Sequence, residues 1–506
     1  MAANQNQVTP KIIKEVNRFR LYRDPNAQPL TEKEIQDYYR LHDYVEVNPS
    51  GPAPYWPGWP KPGPPLLPQT PSQNKPFLDK TIPELAGWPN LTDGKNWRGV
   101  KYLGEGGNAQ AGLWSYTGPI VDGQPVARDV VVKELFANKS KDVGLRYEGW
   151  HMNEISQNGA QHVVKLLRDP FKTTGAVEGL GPEWEGKVRR LILEYCSLGD
   201  LFDLNYRHIR SGQPFEERTL WKFFDCLVDG IVCMEYGLEF EIDASSGEVT
   251  ARPQARYQSR VHFDLKPENV FLSDDRAGSH PDVPLQKVGD FGYTEIIPRN
   301  PRPGPETDRF YHYLRGVGTP DYLAPEQFTE RWEHADWKEG GVAGAYGSAT
   351  NVWGVGCMMY QLLTLSQDPP DHRVPFLPDF SLNGDAPQGL TYGVNLQMYG
   401  VNSGPPYERY SQDLIETIYE CLYEQPAHRP TLIDLKTRIL EGIEDCRLAG
   451  CKPEPWSIFL PAAPAPIVPA TPLAPPTGSA QAAAPAPVVT ANPVAPRQRP
   501  PKSAPT

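Results

Sequence analysis

Asp264, Asn269 and Asp290 have side chains and spacing suited to phosphoryl transfer. An aspartate on a tight loop can orient an attacking hydroxyl and accept its proton. An asparagine five positions on, with a second aspartate beyond it, can hold magnesium ions against nucleotide phosphates. Here the first two residues lie in His262-Phe263-Asp264-Leu265-Lys266-Pro267-Glu268-Asn269, and the third opens Asp290-Phe291-Gly292. Two apolar β-type runs, Val270-Phe271-Leu272 and Leu285 to Gly289, flank the intervening segment, so both loops are expected on strand ends of one hairpin. Asp and Asn also populate ordinary turns, but chance does not readily supply this many spaced residues.

Together these motifs resemble a eukaryotic-type serine/threonine protein kinase, with the resemblance running from about Trp97 to Ile443. It implies an α+β, bilobal fold: a small lobe of antiparallel sheet with one helix, and a mainly helical large lobe, with Mg2+ and ATP between them. Leu103, Gly104, Gly106 and Gly107 are similar to the glycine-rich loop, where backbone approaches phosphates closely. Ala109 stands where the family has its third glycine and Ala111 where it has valine, so a methyl is expected to narrow the space over the phosphates and packing on the adenine to be reduced. Val130-Val131-Val132-Lys133 supplies a β-branched strand bearing the phosphate-binding lysine. Its glutamate partner is Glu148 or Glu154; Glu148 is preferred because Trp150, Met152 and Ile155 follow at helical spacing, before an expected strand over 162–167.

The resemblance places Leu193 at the back of the adenine pocket and the backbone of Glu194 and Cys196 at the adenine edge. Asp200 and Asp203 open the next helix at its positive dipole end. Lys266 and Thr319 resemble the lysine and threonine that mark serine/threonine kinases, and Glu326 is expected to pair with Arg429 in a buried bidentate contact. Two departures matter. Phe263 replaces the arginine before the catalytic aspartate, so the pocket that receives a phosphorylated activation segment lacks its central cation. Asn351 replaces an aspartate that ties a large-lobe helix to the catalytic-loop backbone; its amide oxygen can still accept those bonds, without charge assistance. The competing expectation is a pseudokinase scaffold that binds nucleotide and recruits partners through proline-rich flanks.

The 506 residues accommodate such a domain plus long extensions. The expected division is a helical extension over 1–47, a Pro/Trp-rich linker over 48–96, the small lobe over 97–193, the large lobe over 194–448 and a disordered Pro/Ala-rich tail over 453–506. The 56 prolines are about twice average usage. In the extension, Pro10 to Tyr22 reads as helical, and Thr31 with Glu34 forms a capping-box pattern. In the tail, Arg497-Gln498-Arg499-Pro500-Pro501-Lys502 offers a ligand for a proline-recognising domain. Polar insertions over 240–258 and 273–284 are expected to be exposed.

A net charge of -12 argues against broad nucleic-acid or anionic-membrane binding. No apolar stretch is long enough for a membrane span and Met1 is followed by polar residues, so an intracellular protein of the cytoplasm or nucleus, acting on protein substrates, is expected. Seven cysteines, including Cys226, Cys233, Cys357 and Cys421, lack paired spacing for zinc or disulfides and read as reduced packing residues.

Overall fold

Strand propensity and period-2 burial build the first lobe. β1 (Trp97–Glu105), β2 (Ala109–Tyr116), β3 (Asp129–Leu135) and β4 (Arg190–Glu194) form one antiparallel sheet in that order. In β3, Val130 and Val132 are buried on the outer face with Trp97, Trp114, Tyr116 and Ile192, whereas alternation turns Val131 and Lys133 toward the cleft. A computed structural model describes residues 76–461, apart from 83–84, 86–95, 107–108, 119–127, 137–144, 157–158, 169–187, 244, 256, 299–304, 335, 373–374, 379–388 and 400–408. The helix-like stretches of the N-terminal extension, most of the Pro/Trp-rich segment, Gly107 and Arg497 to Lys502 lie outside the described residues.

The linker expected over 48–96 does not extend to its stated end as a mere connector. Phe77, Ile82 and Leu85 are buried in the outer core of the sheet, and the Phe77 ring meets Trp114 edge-on at 5.0 Å. Two glycines permit this close crossing. A Cβ on Gly99 would lie 2.3 Å from the Leu78 carbonyl oxygen, and one on Gly112 would lie 3.0 Å from the Phe77 ring. Lys80 and Arg190 then converge on the buried Glu134 carboxylate, each at 2.5 Å, fastening the crossing segment to β3 and β4.

After β3 comes α1 (Arg146–Ser156), with Glu148, His151, Met152 and Ile155 on its buried face. The strand expected over 162–167 is not continuous, because its backbone bonds are divided between two elements. Val288 N–H donates to His162 O and Val164 N–H to Val288 O, both at 2.9 Å; beyond them, Leu167 N–H donates to Ile192 O and Glu194 N–H to Lys165 O. The segment thus passes from the edge of a large-lobe hairpin to β4.

The second lobe is helical. α2 (Leu201–Ser211) begins at Asp200, whose carboxylate accepts from Asp203 N–H at 2.8 Å, and ends at Gly212 in the left-handed region. α3 (Glu217–Tyr236) is apolar around most of its circumference and forms the core of this lobe. A small hairpin of β5 (Glu241–Ile242) and β6 (Val249–Thr250) organises the 240–258 insertion around Asp243, whose carboxylate accepts from Ser245 and Ser246 N–H. β7 (Arg260–Val261) precedes the candidate catalytic loop; β8 (Val270–Ser273) and β9 (Leu285–Val288) form the expected hairpin, and β10 (Glu295–Ile296) pairs back onto β7. The 273–284 insertion is not wholly exposed: Val283 is buried and His280 folds back against His162.

α4 (Pro305–Leu314) and the single turn α5 (Pro325–Phe328) lead to α6 (Ser348–Thr364), which is buried along most of its length. α7 (Gln412–Cys421) and α8 (Leu432–Leu448) complete the lobe, and Lys436 of α8 is buried between Asp225 and Asp229 of α3. Residues 453–461, expected to belong to a disordered tail, are packed onto the lobe. Phe459 is fully buried beside Phe223 and Trp456, and Glu454 accepts a hydrogen bond from Glu216 N–H at the start of α3. None of the helices among the described residues is long and apolar enough to cross a membrane.

Candidate active site

His262 sets the shape of the loop. Its Nε2–H donates to Gly289 O at 3.0 Å, and its Nδ1 accepts from Asp264 N–H at 3.2 Å, a tautomer assigned from these partners. Complete burial lowers its pKa, so the ring works as a neutral brace. Phe263 adopts φ 62°, a left-handed geometry costly for a bulky residue, and aims Asp264 into the cleft. The facing Gly318 has φ 108°, and any Cβ there would lie 2.0 Å from Phe263 O. The loop and the segment carrying Thr319 can therefore approach this closely only with glycine at 318.

Asp264 lies within a hydrogen-bonded cluster. Thr319 Oγ1 donates to Asp264 Oδ1 at 2.6 Å, Lys266 Nζ lies 3.1 Å from Oδ2, and Lys266 also donates to Thr319 Oγ1 at 2.8 Å. Asn269 Nδ2 donates to the Asp264 carboxylate at 3.0 Å and to its backbone carbonyl at 2.8 Å. That arrangement fixes the carboxylate rotamer and leaves the Asn269 amide oxygen as the group suited to a cation. Across the hairpin, Asp290 sits at φ 58°, where it presents its half-exposed carboxylate to Lys133 Nζ at 2.8 Å. Burial alone would raise the Asp290 pKa, but the Lys133 cation overcomes it and holds the carboxyl below the ordinary range.

Lys133 also pairs with Glu148 at 2.8 Å, whereas Glu154 is half-exposed and 4.0 Å from Arg260. The structure therefore joins Lys133 to the first of the two candidate glutamates. Burial works against the Lys133 cation, yet the Glu148 and Asp290 carboxylates outweigh it and raise its proton affinity above that of an ordinary lysine. Leu103 is partly exposed at the sheet edge, Gly106 N–H closes a turn onto Ala109 O at 2.8 Å, and Gly104 pairs in register with Ala111, itself opposite Lys133. Ala109 is buried in the same core cluster as its register partner Leu135 and, by strand alternation, lies on the same face as Ala111 and Lys133.

At the lobe junction Leu193 is buried, and the Glu194 carboxylate accepts from Lys165 N–H at 2.6 Å and pairs with Lys287 at 3.1 Å. Burial pushes the Cys196 thiol up to about 12, so it stays protonated. Further out, Arg429 meets Glu326 through two bonds of 2.9 and 2.8 Å with both side chains fully buried, and Thr350 Oγ1 donates to the same carboxylate.

Both departures from the motif have local structural accommodations. The Phe263 ring packs edge-on against Tyr346 in a cluster with Val261, Leu314, Val317 and Trp332, so an apolar core fills that region. Asn351 Oδ1 accepts from His262 N–H at 2.9 Å while its Nδ2 donates to Arg260 O at 2.9 Å. The second bond needs a donor that an ionised aspartate lacks. Sequence reasoning missed Arg260. It is 2 % exposed, donates to His151 Nδ1 of α1 at 3.1 Å, and lies over the Tyr257 ring at 4.5 Å. Burial first, then the Arg260 cation, lower the His151 pKa to about 3, keeping that ring neutral and able to accept. A separation of 109 residues between donor and acceptor left no pattern to read.

Residues 257–439 match the family model described as "Protein kinase domain". The G2-specific protein kinase nim-1 of Neurospora crassa is 27% identical over 253 residues, covering 48% of this chain and 24% of that protein. The G2-specific protein kinase fin1 of Schizosaccharomyces pombe is 26% identical over 300 residues, covering 58% of this chain and 34% of that protein. The chain therefore spans about a quarter to a third of the length of these two relatives. A chain from the CAK complex of Chaetomium thermophilum bound to ATP-gamma-S aligns over 68% of this chain and 90% of its own, at 16% identity and a TM-score of 0.41.

Proposed function

The chain carries a divergent protein kinase domain of the eukaryotic serine/threonine type, and from that premise we propose that it transfers the γ-phosphate of Mg-ATP to serine or threonine hydroxyls of proteins. The observation that carries this reading is the fixed Asp264 carboxylate, bonded by Thr319, Lys266 and Asn269 and set across the cleft from the Lys133–Glu148–Asp290 cluster. Asp264 orients the attacking hydroxyl and takes its proton. Lys266, bonded to Thr319 beside that carboxylate, offers its cation to the phosphoryl oxygens, and Lys133 faces the nucleotide phosphates.

Asn269 and Asp290 offer hard oxygen donors from the two strands at the open end of the hairpin, a set that fits magnesium. When bound, magnesium supplies neutralisation of charge on the phosphate oxygens. The protein's own part is to hold those donors in place: Asn269 through its bonds to Asp264, and Asp290 through Lys133. Residues 103–106 and Ala111 cover the nucleotide side of the cleft, and the junction backbone at Glu194 and Cys196 faces the adenine edge. Protein substrates in the cytoplasm or nucleus fit the kinase reading. Retention of Lys133 paired with Asp290, and of Asp264 bonded by Asn269, favours catalysis over the scaffold alternative.

Purified protein incubated with magnesium, γ-labelled ATP and generic protein acceptors should yield phosphoserine or phosphothreonine. The label should vanish in Asp264→Asn. A folded protein that binds nucleotide yet labels none of several acceptors would transfer the reading to a scaffold.

A further inference from the structure

Away from the cleft, His162, Cys226 and His280 bring one ligand atom each into a cluster whose members all lie within 4.8 Å of one another. These residues come from three separate elements: the segment after α1, the middle of α3, and the insertion between β8 and β9. Their separation along the chain conceals them from any search for closely spaced cysteine and histidine pairs. His162 and Cys226 are buried, and His280 is partly buried.

The ring orientations are those of metal ligands. The two Nε2 atoms face each other at 3.2 Å. Two imidazole nitrogens bound tetrahedrally to zinc, each at about 2.0–2.1 Å, are separated by roughly 3.3 Å. On the far side of His162, Nδ1 lies 3.0 Å from the Glu239 carboxylate, which also accepts from His162 and Gln161 N–H. This carboxylate–histidine arrangement puts the proton on Nδ1 and turns the Nε2 lone pair inward, as an outer partner of a zinc-bound histidine does. His280 Nδ1 is likewise engaged, 2.7 Å from Ser279 Oγ and 3.8 Å from Asp275 Oδ2, so its Nε2 also points into the cluster. Ser279 Oγ further donates to Gln161, tying the insertion to the segment after α1.

We propose that His162, Cys226 and His280 form a structural zinc site that fastens the β8–β9 insertion to α3 and to the segment after α1. Two imidazoles and a thiolate suit zinc, and calcium or magnesium would demand oxygen donors instead. Binding displaces the thiol proton, and the fourth position is left to water. The backbone consequence reaches the active site. His162 O accepts from Val288 N–H, two residues before Asp290, so an anchored His162 steadies the strand that presents Asp290.

The test is metal content of the full chain, purified without chelator and exchanged into zinc-free buffer. About one zinc per chain is expected, with loss in both His280→Ala and Cys226→Ser. The His280 variant removes a partly exposed loop side chain, so it keeps the fold if Cys226→Ser does not. Stripped protein refilled with cobalt(II) should show a thiolate-to-cobalt charge-transfer band and the intense visible bands of tetrahedral cobalt, the former absent in Cys226→Ser. Zinc content no different between wild type and variants, a six-coordinate cobalt spectrum without a thiolate band, or exclusive uptake of copper(I) would each overturn the assignment. None of these readouts depends on phosphoryl transfer.

Discussion

Restoring the family's aspartate at position 351 should weaken this protein. Asn351 is 2 % exposed and bridges two groups of opposite character, the His262 N–H and the Arg260 carbonyl. Its amide orientation is dictated by those partners, because an N–H meets only an acceptor and a carbonyl only a donor. In Asn351→Asp, the bond from His262 gains charge assistance, but the Arg260 carbonyl loses its donor and faces an anion. An unpaired buried carbonyl costs about 1–3 kcal/mol, and the charge-assisted bond returns only part of that. The expected net loss near neutral pH is ~1–2 kcal/mol from a total stability of ~5–15 kcal/mol. The pH dependence has a definite sign. Burial beside a carbonyl raises the folded pKa of the introduced carboxyl above its unfolded value of about 3.9. The penalty is thus absent below that value, where a protonated carboxyl can donate to Arg260 O, and grows as pH rises through the folded pKa. Urea unfolding of both proteins at pH 4 and pH 8, with initial rates taken where both are folded, reads this directly, because a penalty of ~1–2 kcal/mol develops within about 1.5 pH units above the unfolded pKa. A variant as stable as wild type at pH 8, or a difference identical at the two pH values, would refute the donor argument.

Three other outcomes follow from the geometry. Glu326→Gln leaves Arg429 charged and fully buried without its carboxylate, so thermal or denaturant unfolding should show a loss of about 3–5 kcal/mol, and a loss below 1 kcal/mol would count against a structural role. Phe77→Ala should cost ~3–5 kcal/mol, because the ring fills the outer core over Gly112; an unchanged melt would mean the segment does not contribute to the sheet. Replacing Thr294, Thr307, Tyr311 and Tyr313 together by nonphosphorylatable residues should leave the phosphorylation rate nearly unchanged, since the apolar Phe263 stands in place of the central cation that would receive a phosphate. A collapse of rate in a folded quadruple variant would reverse that conclusion.

The cleft was legible because its chemistry is written in short runs. Lys133 follows three valines within β3, and Asp264 and Asn269 share one tight loop; each carries its own local context. Even the choice between Glu148 and Glu154 followed from helical spacing within α1. What escaped was packing between distant segments. Phe77 could not be placed in a core from sequence because its segment crosses the sheet over Gly99, which faces the Leu78 backbone, and Gly112, which faces the Phe77 ring, and neither glycine carries a side chain to suggest a partner. Arg260 and His151 carry no local pattern that points to each other, because their contact joins positions 109 residues apart. The run over 162–167 misled in another way: its β-branched composition suits extended backbone, but hydrogen bonds on two different neighbours interrupt the strand it would otherwise form. Residues after 453 looked compositionally like a tail, and only Trp456 and Phe459 signalled that the first few had a hydrophobic site to fill.

The divided pairing of residues 162–167 also constrains mechanics. Besides the covalent junction near Glu194, this run gives the lobes a second attachment, with β9 on one side and β4 on the other. A body held at two points keeps one soft freedom, rotation about the line through them, while sliding and twisting must break hydrogen bonds. Nucleotide entry and exit should therefore proceed by a rocking motion in which the turn at Gly106 travels far and the backbone bonds at both pivots persist.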